Sequence, residues 1–275
     1  MSDSPTRKRK TLLQEAIFFV ELLYHSIVRE VRLTSGNAAL GLAMSVIRTL
    51  AMVAAFYMMF AALGMRAGLI RGDIVMFLVT GIMLFLIHNS AISKTLAAGS
   101  VASPIMMHAP VTSALMILSN TLADFYMFIL STFVVFVGLY ILRGELVIHN
   151  PAGIILPFFL TWTSGVVIGM MLLMAKPFMP NLVKIISLFY QRANMVTSGK
   201  FFVANLLPAA ALPFFAWNPL FHTIDQLRGA VFVNYVPHQT SIEYALYFTL
   251  IGMVLGGMGE FWLRRTVSRS TAATR

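Results

Sequence analysis

An all-α integral membrane fold with six transmembrane helices is predicted for this 275-residue chain. Three observations predict it. Apolar residues make up 59% of the chain and charged residues 11%, less than half the roughly 25% charge of an ordinary soluble domain. Several apolar runs exceed the ~18 residues at which a membrane helix becomes the favoured reading. Basic residues gather at the chain ends, with six of the twenty Lys and Arg in the first 36 residues and four in the last twelve. That bias places both termini in the cytoplasm. It also accounts for the formal net charge of +10 without a nucleic-acid partner. With no cysteine, disulfides and thiolate metal sites are excluded.

The elements follow in order. Residues 1–11 carry Arg7-Lys8-Arg9-Lys10 and are expected to form a disordered basic tail. Residues 12–36 repeat apolar side chains at helical spacing (Leu13, Ile17, Val20, Tyr24, Ile27, Val31), with Gln14, Glu21, His25 and Arg32 on the other side. This pattern predicts an amphipathic helix lying in the cytoplasmic interface. Glu15 and Glu21 in that stretch, with no small-residue cleavage site after it, argue against a cleavable signal peptide.

A single membrane domain is expected over 37–263, followed by a cytoplasmic tail at 264–275. Hydropathy places its spans near Asn37–Leu63, Asp73–Ser93, Val111–Leu142, Ala152–Ala175, Leu182–Ser198 and Ile242–Leu263. Loops 64–72, 143–151 and 233–241 then face outside, and 94–110 and 176–181 face the cytoplasm; Arg66 and Arg71 run against the charge rule. Between the last two spans the apolar pattern breaks at Gly199, Pro208, Pro213 and Pro219, with Lys200, Asp225 and Arg228 embedded. Broken backbone and charge at membrane depth are tolerated only where protein or a water-filled cavity satisfies them. Residues 200–232 are therefore expected to form a re-entrant hairpin. Gly165/Gly169 and Gly252/Gly256 have the spacing of close helix approach, read as packing within the chain. No internal repeat is evident.

Enzyme chemistry finds little footing. None of the six histidines stands at metal-ligand spacing with another, so no metal is expected. There is no nucleophile-elbow serine. Ser198-Gly199-Lys200 lacks the earlier glycine and the following Ser or Thr of a phosphate-binding loop, so the chain is not expected to hydrolyse ATP by itself. No catalytic residue and no cofactor is assigned to it. His222 and Asp225, three residues apart, leave a glycosyl- or acyltransferase as a distant alternative.

What remains is charge and aromatic surface at membrane depth. Arg48 sits about 11 residues into the first span, Asp124 about 13 into the third and Arg192 about 10 into the fifth, or roughly 15–20 Å deep. An isolated intramembrane charge is costly, so Asp124 is expected to pair with Arg48 or Arg192. Phe56, Tyr57, Phe189, Tyr190, Phe201, Phe202, Trp162 and Trp217 offer stacking surfaces for sugar rings. Core filling and interfacial belts are the commoner uses of membrane aromatics.

Three features carry a family resemblance. The amphipathic segment ends in Ile27-Val28-Arg29-Glu30-Val31-Arg32 ahead of the first span. Six spans follow with both ends cytoplasmic. The stretch before the last span reads Ser198-Gly199-Lys200-Phe201-Phe202, Leu207-Pro208, Trp217-Asn218-Pro219-Leu220 and Asp225-Gln226-Leu227-Arg228. In these respects nearly the whole chain resembles the membrane subunit of type-2 ABC exporters, and more narrowly the capsular polysaccharide export permeases of Gram-negative bacteria. Lys200 departs from the small apolar residue or proline common there.

The resemblance implies a permease in the bacterial inner membrane, with two copies forming a channel for a lipid-linked, anionic polysaccharide. A separate cytoplasmic ABC ATPase dimer would bind ATP and Mg, and periplasmic and outer-membrane components would receive the polymer. Within residues 94–110, Leu96, Ser100, Ser103, Pro104, Met106, Met107 and His108 match the coupling helix that docks on the ATPase. Arg48, Asp124, Arg192 and Lys200, with Phe56, Tyr57, Phe189 and Tyr190, would line the pathway. Phe201, Phe202, Trp217, Asn218, Pro219 and Arg228 would form the outer gate. O-antigen, another lipid-linked glycan, a lipid or a drug are alternative cargoes for the same architecture.

Overall fold

The computed structural model describes residues 12–33, 38–64, 73–98, 113–144 and 148–273, of which 12, 33, 38 and 263–273 are described as backbone alone. Every regular element among them is helical. They are α1 (Leu12–Leu33), α2 (Ala38–Ala62), α3 (Ile74–Ala98), α4 (Ser113–Arg143), α5 (Ile155–Ala175), α6 (Pro180–Thr197), the single turn α7 (Pro213–Ala216), α8 (Pro219–Val231) and α9 (Ile242–Ala273). Among the described residues, five stretches are long and apolar enough to cross a membrane: Ala39–Ala62, Ile74–Ala98, Ser113–Arg143, Ala152–Ala175 and Ile242–Trp262. The fifth predicted span coincides with α6, which is helical over 18 residues but falls short of those five in apolarity. Lys184, Gln191, Arg192 and Asn194 within it are the reason.

The bundle is built around α3. Of its apolar stretch 83% is buried, against 11% for α2 and 17% for α4, so α3 is the core helix and its neighbours present broad outer faces. A helix apolar all round suits that position. It packs on α5, which in turn packs on α9, while α2 and α4 cover its other flank and the second half of α1 lies on α4. Small residues set the closest approaches. A Cβ on Gly165 would stand 2.5 Å from the His88 carbonyl oxygen, and one on Gly169 2.6 Å from Thr95 Cβ, both on α3. A Cβ on Gly252 would stand 2.1 Å from Val167 Cγ1, and one on Gly256 3.1 Å from Met170 Cβ. Both glycine pairs therefore pack within the chain, as their spacing predicts.

Caps explain the helix boundaries. Asp73 Oδ1 accepts the Val75 N–H at 2.9 Å, opening α3, and its carboxylate pairs with Arg143 at the end of α4. At its far end α3 runs through Lys94 to Ala98, past the predicted limit at Ser93. Lys176 Nζ donates to the Leu96 carbonyl at 2.7 Å, meeting one of the carbonyls that a helix C-terminus leaves open. Pro180 starts α6 at the position where a missing N–H costs nothing. Trp162 Nε1 donates to the Thr121 carbonyl at 3.2 Å while its ring stacks on Phe125 at 4.5 Å, locking α5 to α4.

Between α6 and α9 the chain follows an irregular path. It turns at Gly199, whose φ of +74° is the left-handed conformation that favours glycine; the Phe221 ring lies 2.8 Å from where a Cβ would be. A helical turn at Ala204–Leu206 and α7 follow, before Asn218 opens α8. Asn218 Oδ1 accepts the Leu220 N–H at 3.0 Å, and Pro219 takes the first helical position. The Asn-Pro-Leu element is thus a helix start rather than only a reversal. Although α8 is polar in sequence, eleven of its thirteen residues are buried, against α3, α5 and α9.

Candidate functional site

Polar groups gather in three clusters that hold fewer than half of the predicted site residues. The first joins α6 to the core. Asn218 Nδ2 donates to Asn194 Oδ1 at 2.8 Å and to Thr197 Oγ1 at 2.9 Å, and Asn194 Nδ2 donates to Asn89 Oδ1 at 3.3 Å. Beside this chain, the Thr161 carbonyl can only accept, so His88 Nδ1 carries the proton that reaches it at 3.1 Å. His88 Nε2 then accepts from the Tyr190 hydroxyl at 3.2 Å. Thr161 Oγ1 donates to Thr223 Oγ1 at 2.7 Å, bringing α8 into the same network. The polar face of α6 therefore points inward. Its opposite face, with Leu182, Ile185, Phe189 and Arg192, is exposed.

The second cluster is the turn after α6. Arg228 is buried, and its Nη1 donates to the carbonyls of Gly199 and Phe202 at 2.8 Å each. Its Nη2 donates to the Lys200 carbonyl at 2.7 Å, and its guanidinium lies 3.7 Å from the Phe77 ring centre. A planar fork of donors is what can hold three carbonyls at once. Lys200 is fully buried, its Nζ 3.0 Å from the centre of the Phe85 ring, 4.7 Å from that of Phe201 and 5.6 Å from that of Phe56. That ammonium has no hydrogen-bond partner, so cation–π attraction is its visible compensation. Phe56 and Phe201 meet with tilted rings 4.2 Å apart, fastening α2 to this turn.

Residues His222 and Asp225 are occupied. His222 Nδ1 accepts the Ser241 N–H at 3.0 Å, so Nε2 donates to the Ala216 carbonyl at 2.8 Å. Asp225 takes the Tyr235 hydroxyl on one oxygen and the Thr240 hydroxyl, at 2.8 Å, on the other. Burial holds the Tyr235 hydroxyl well above its usual range, which keeps it a donor. Both residues tie the loop before α9 to α8, and neither presents a free group to a substrate.

The third cluster is a partly open cavity of about 830 Å³ between α1, α2, α3 and α4. Arg48 and Ser45 of α2, Ser90 and Lys94 of α3, and Asp124 of α4 line it together with apolar side chains. Asp124 and Arg48 thus share one chamber, as the depth argument predicts, but they form no direct ion pair. Asp124 Oδ2 is buried without a hydrogen-bond partner. Arg192 lies elsewhere, on the exposed face of α6, and pairs with neither.

The remaining predicted residues scatter. Tyr57, Phe189 and Trp217 are exposed, with Phe189 reaching 74%. Tyr190 is half-buried and edge-on to Trp217 at 6.3 Å. Phe202 packs on Phe215 at 5.0 Å, and Pro219 is buried. Of the coupling segment, Leu96 is half-buried at the end of α3, whereas Ser100, Ser103, Pro104, Met106, Met107 and His108 lie outside the described residues. The inward polar face of α6 is what sequence reasoning missed; Ser187, Tyr190, Gln191, Asn194 and Thr197 recur at helical spacing and carried that signal.

No family profile matches the chain. Two curated sequences do, both described as polysialic acid transport protein KpsM of Escherichia coli. Each is 22% identical over 184 residues, covering 66% of this chain and 69% of the relative. These matches bear out the resemblance to capsular polysaccharide export permeases.

Proposed function

We propose that the chain is the permease subunit of an ATP-driven exporter that moves a lipid-linked, anionic capsular polysaccharide across the bacterial inner membrane. The similarity to a polysialic acid transport protein carries this reading, since polysialic acid is an anionic sugar polymer. Two copies form the channel, and a separate cytoplasmic ATPase supplies the energy. In this arrangement α6 crosses as the fifth of six spans, the chain from 200 to 232 is the re-entrant outer segment, and α1 lies in the cytoplasmic interface with both termini inside.

The outer face of α6 supports a channel between copies. Arg192 and the exposed Phe189 share that face, and an arginine at membrane depth belongs in a water-filled path or against protein rather than in lipid. Positive charge with neighbouring aromatic surface suits a polyanionic sugar chain. By the same reasoning α1, with Leu13, Ile17 and Val20 exposed, suits an interfacial position where those side chains reach acyl chains.

Purification of the chain from its native host tests the assignment. A stable complex with a cytoplasmic ATPase is expected, together with loss of surface polymer on deletion of the gene. Arg192→Ala is expected to lower surface polymer while complex assembly and basal ATP hydrolysis persist. Turnover of an activated sugar donor by the chain alone, with no ATPase bound, would overturn the export reading.

A further inference from the structure

Three residues on one face of α8, His222, Asp225 and Gln226, hold the strap at residues 233–241 that leads into α9. Gln226 Nε2 donates to the Thr240 carbonyl at 2.9 Å, and Asp225 accepts the Tyr235 and Thr240 hydroxyls. His222 takes the next residue, where α9 begins. Ser241 Oγ accepts the Tyr244 N–H at 3.1 Å, the bond of a helix cap. The Ser241 N–H therefore lies outside the helix and needs an acceptor of its own. His222 Nδ1 is that acceptor, at 3.0 Å.

These bonds fix the proton count of the ring. A main-chain N–H can only donate and a carbonyl can only accept, so Nδ1 carries no proton and Nε2 carries one. Only the neutral ring meets both partners. A second proton, at Nδ1, would set N–H against N–H beside the positive end of α9. The ring has little room to turn away, since His222 is 6% exposed and Tyr244 stacks on it at 4.4 Å.

Neighbouring groups do not relieve that conflict. On the same helix Asp225 favours a charged ring, but both its oxygens are engaged by Tyr235 and Thr240. From α9, Tyr244 offers a ring face, and Glu243 takes the Ser241 hydroxyl at the surface. The residues of α7, which supply the Ala216 carbonyl, are Pro-Phe-Phe-Ala and carry no charge. Burial holds the imidazole below its ordinary value of 6.5, outweighing the pull of Asp225.

From this geometry we infer that His222 is an acid-released latch: neutral, it holds the strap and the start of α9 against α8, and a proton at Nδ1 frees them. The latch is fully closed above about pH 6.5 and weakens as the pH falls below it, because the open junction takes up the proton more readily than the closed one. The same helix carries Arg228, which holds the carbonyls of the turn after α6, so release at the strap bears on that turn. Under the proposed topology the junction faces outside, and external pH sets it. The latch itself rests on the hydrogen bonds and not on the export reading.

Hydrogen–deuterium exchange of the full-length chain at about pH 7.5 and about pH 5 tests the latch, with rates corrected for the intrinsic effect of pH. Residues 233–244 are expected to exchange about ten-fold faster at the lower pH, the factor for one lost hydrogen bond, while α3 keeps its protection. Two variants separate the latch from general weakening by acid. His222→Asn keeps an acceptor near the Nδ1 position but takes no proton, so the junction should stay closed at both values. His222→Gln keeps a donor near the Nε2 position but offers Ser241 no acceptor, so fast exchange is expected at both. Absence of the step in the unsubstituted chain, or the same step in His222→Asn, would overturn the latch. So would an equal loss of protection in α3, the mark of acid unfolding.

Outward placement has its own test. The chain has no cysteine, and Gln239→Cys on the exposed strap should react with a membrane-impermeant thiol reagent in intact spheroplasts. No reaction would overturn the outward placement, and with it the proposed topology, whatever the exchange step shows.

Discussion

The turn around Arg228 and the cavity around Arg48 each place an arginine on the helical bundle, one buried and one exposed, and they treat its charge differently. Arg228 meets three main-chain carbonyls with its two terminal nitrogens and rests on Phe77, and it is buried. Arg48 lines an open chamber opposite Asp124 without closing an ion pair, and a carboxylate oxygen there lacks a partner. A buried cation whose terminal nitrogens are engaged fixes structure even with its Nε unpartnered, because moving it would strand carbonyls. A cation left facing space keeps its bonding capacity for a ligand. Lys200 falls between these cases, sealed like Arg228 yet without a hydrogen bond.

Substitutions can break or sharpen this contrast. The largest effect is expected for Arg228→Met, which removes three hydrogen bonds at once and should cost about 3–5 kcal/mol. Thermal unfolding of the purified chain measures it, and Arg228→Lys should recover little because one ammonium cannot span all three carbonyls. Wild-type stability in Arg228→Met would remove the structural role assigned to that turn.

Next in size is Gly165→Ala, whose new Cβ would meet the His88 carbonyl oxygen at 2.5 Å and push α5 from α3. A loss of about 1–3 kcal/mol is expected from such overpacking, read as a lower transition temperature. An unchanged transition would mean that the contact relaxes freely.

Lys200→Met should change least. It replaces an unpartnered buried ammonium with an apolar chain of similar length, so stability should hold or rise slightly. If stability falls by more than ~1 kcal/mol, the ring contacts to Phe85, Phe56 and Phe201 hold more than their geometry suggests. Export by this variant reports separately whether Lys200 ever faces the pathway.

Much of the fold was legible in the chain order. Apolar runs marked the five long helices within a few residues, Pro180 and Asn218-Pro219 marked helix starts, and Gly199 marked the turn after α6. These features are local, set by hydrogen-bonding and steric limits of neighbouring residues. The site was less legible. Depth counted along each span put Arg48, Asp124 and Arg192 at one level, but depth carries no rotation about the helix axis. Arg48 and Asp124 turn into one chamber, and Arg192 turns outward.

By itself, the sequence determined that this protein is a bundle of membrane-length helices interrupted by a broken polar stretch before the last one. The period and length of apolar runs decide that much, because unpaired backbone cannot face lipid. Only the tertiary structure decided what the polar residues do. Gathering Arg228, Lys200, His222 and Asp225 into a packed core, and leaving Arg48, Lys94 and Asp124 around a cavity, depends on how α3, α4, α5 and α8 rotate against one another. Contacts between residues far apart in the chain set those rotations: Gly165 on His88, Trp162 on Thr121, Thr161 on Thr223. No window of sequence contains both partners of such a contact.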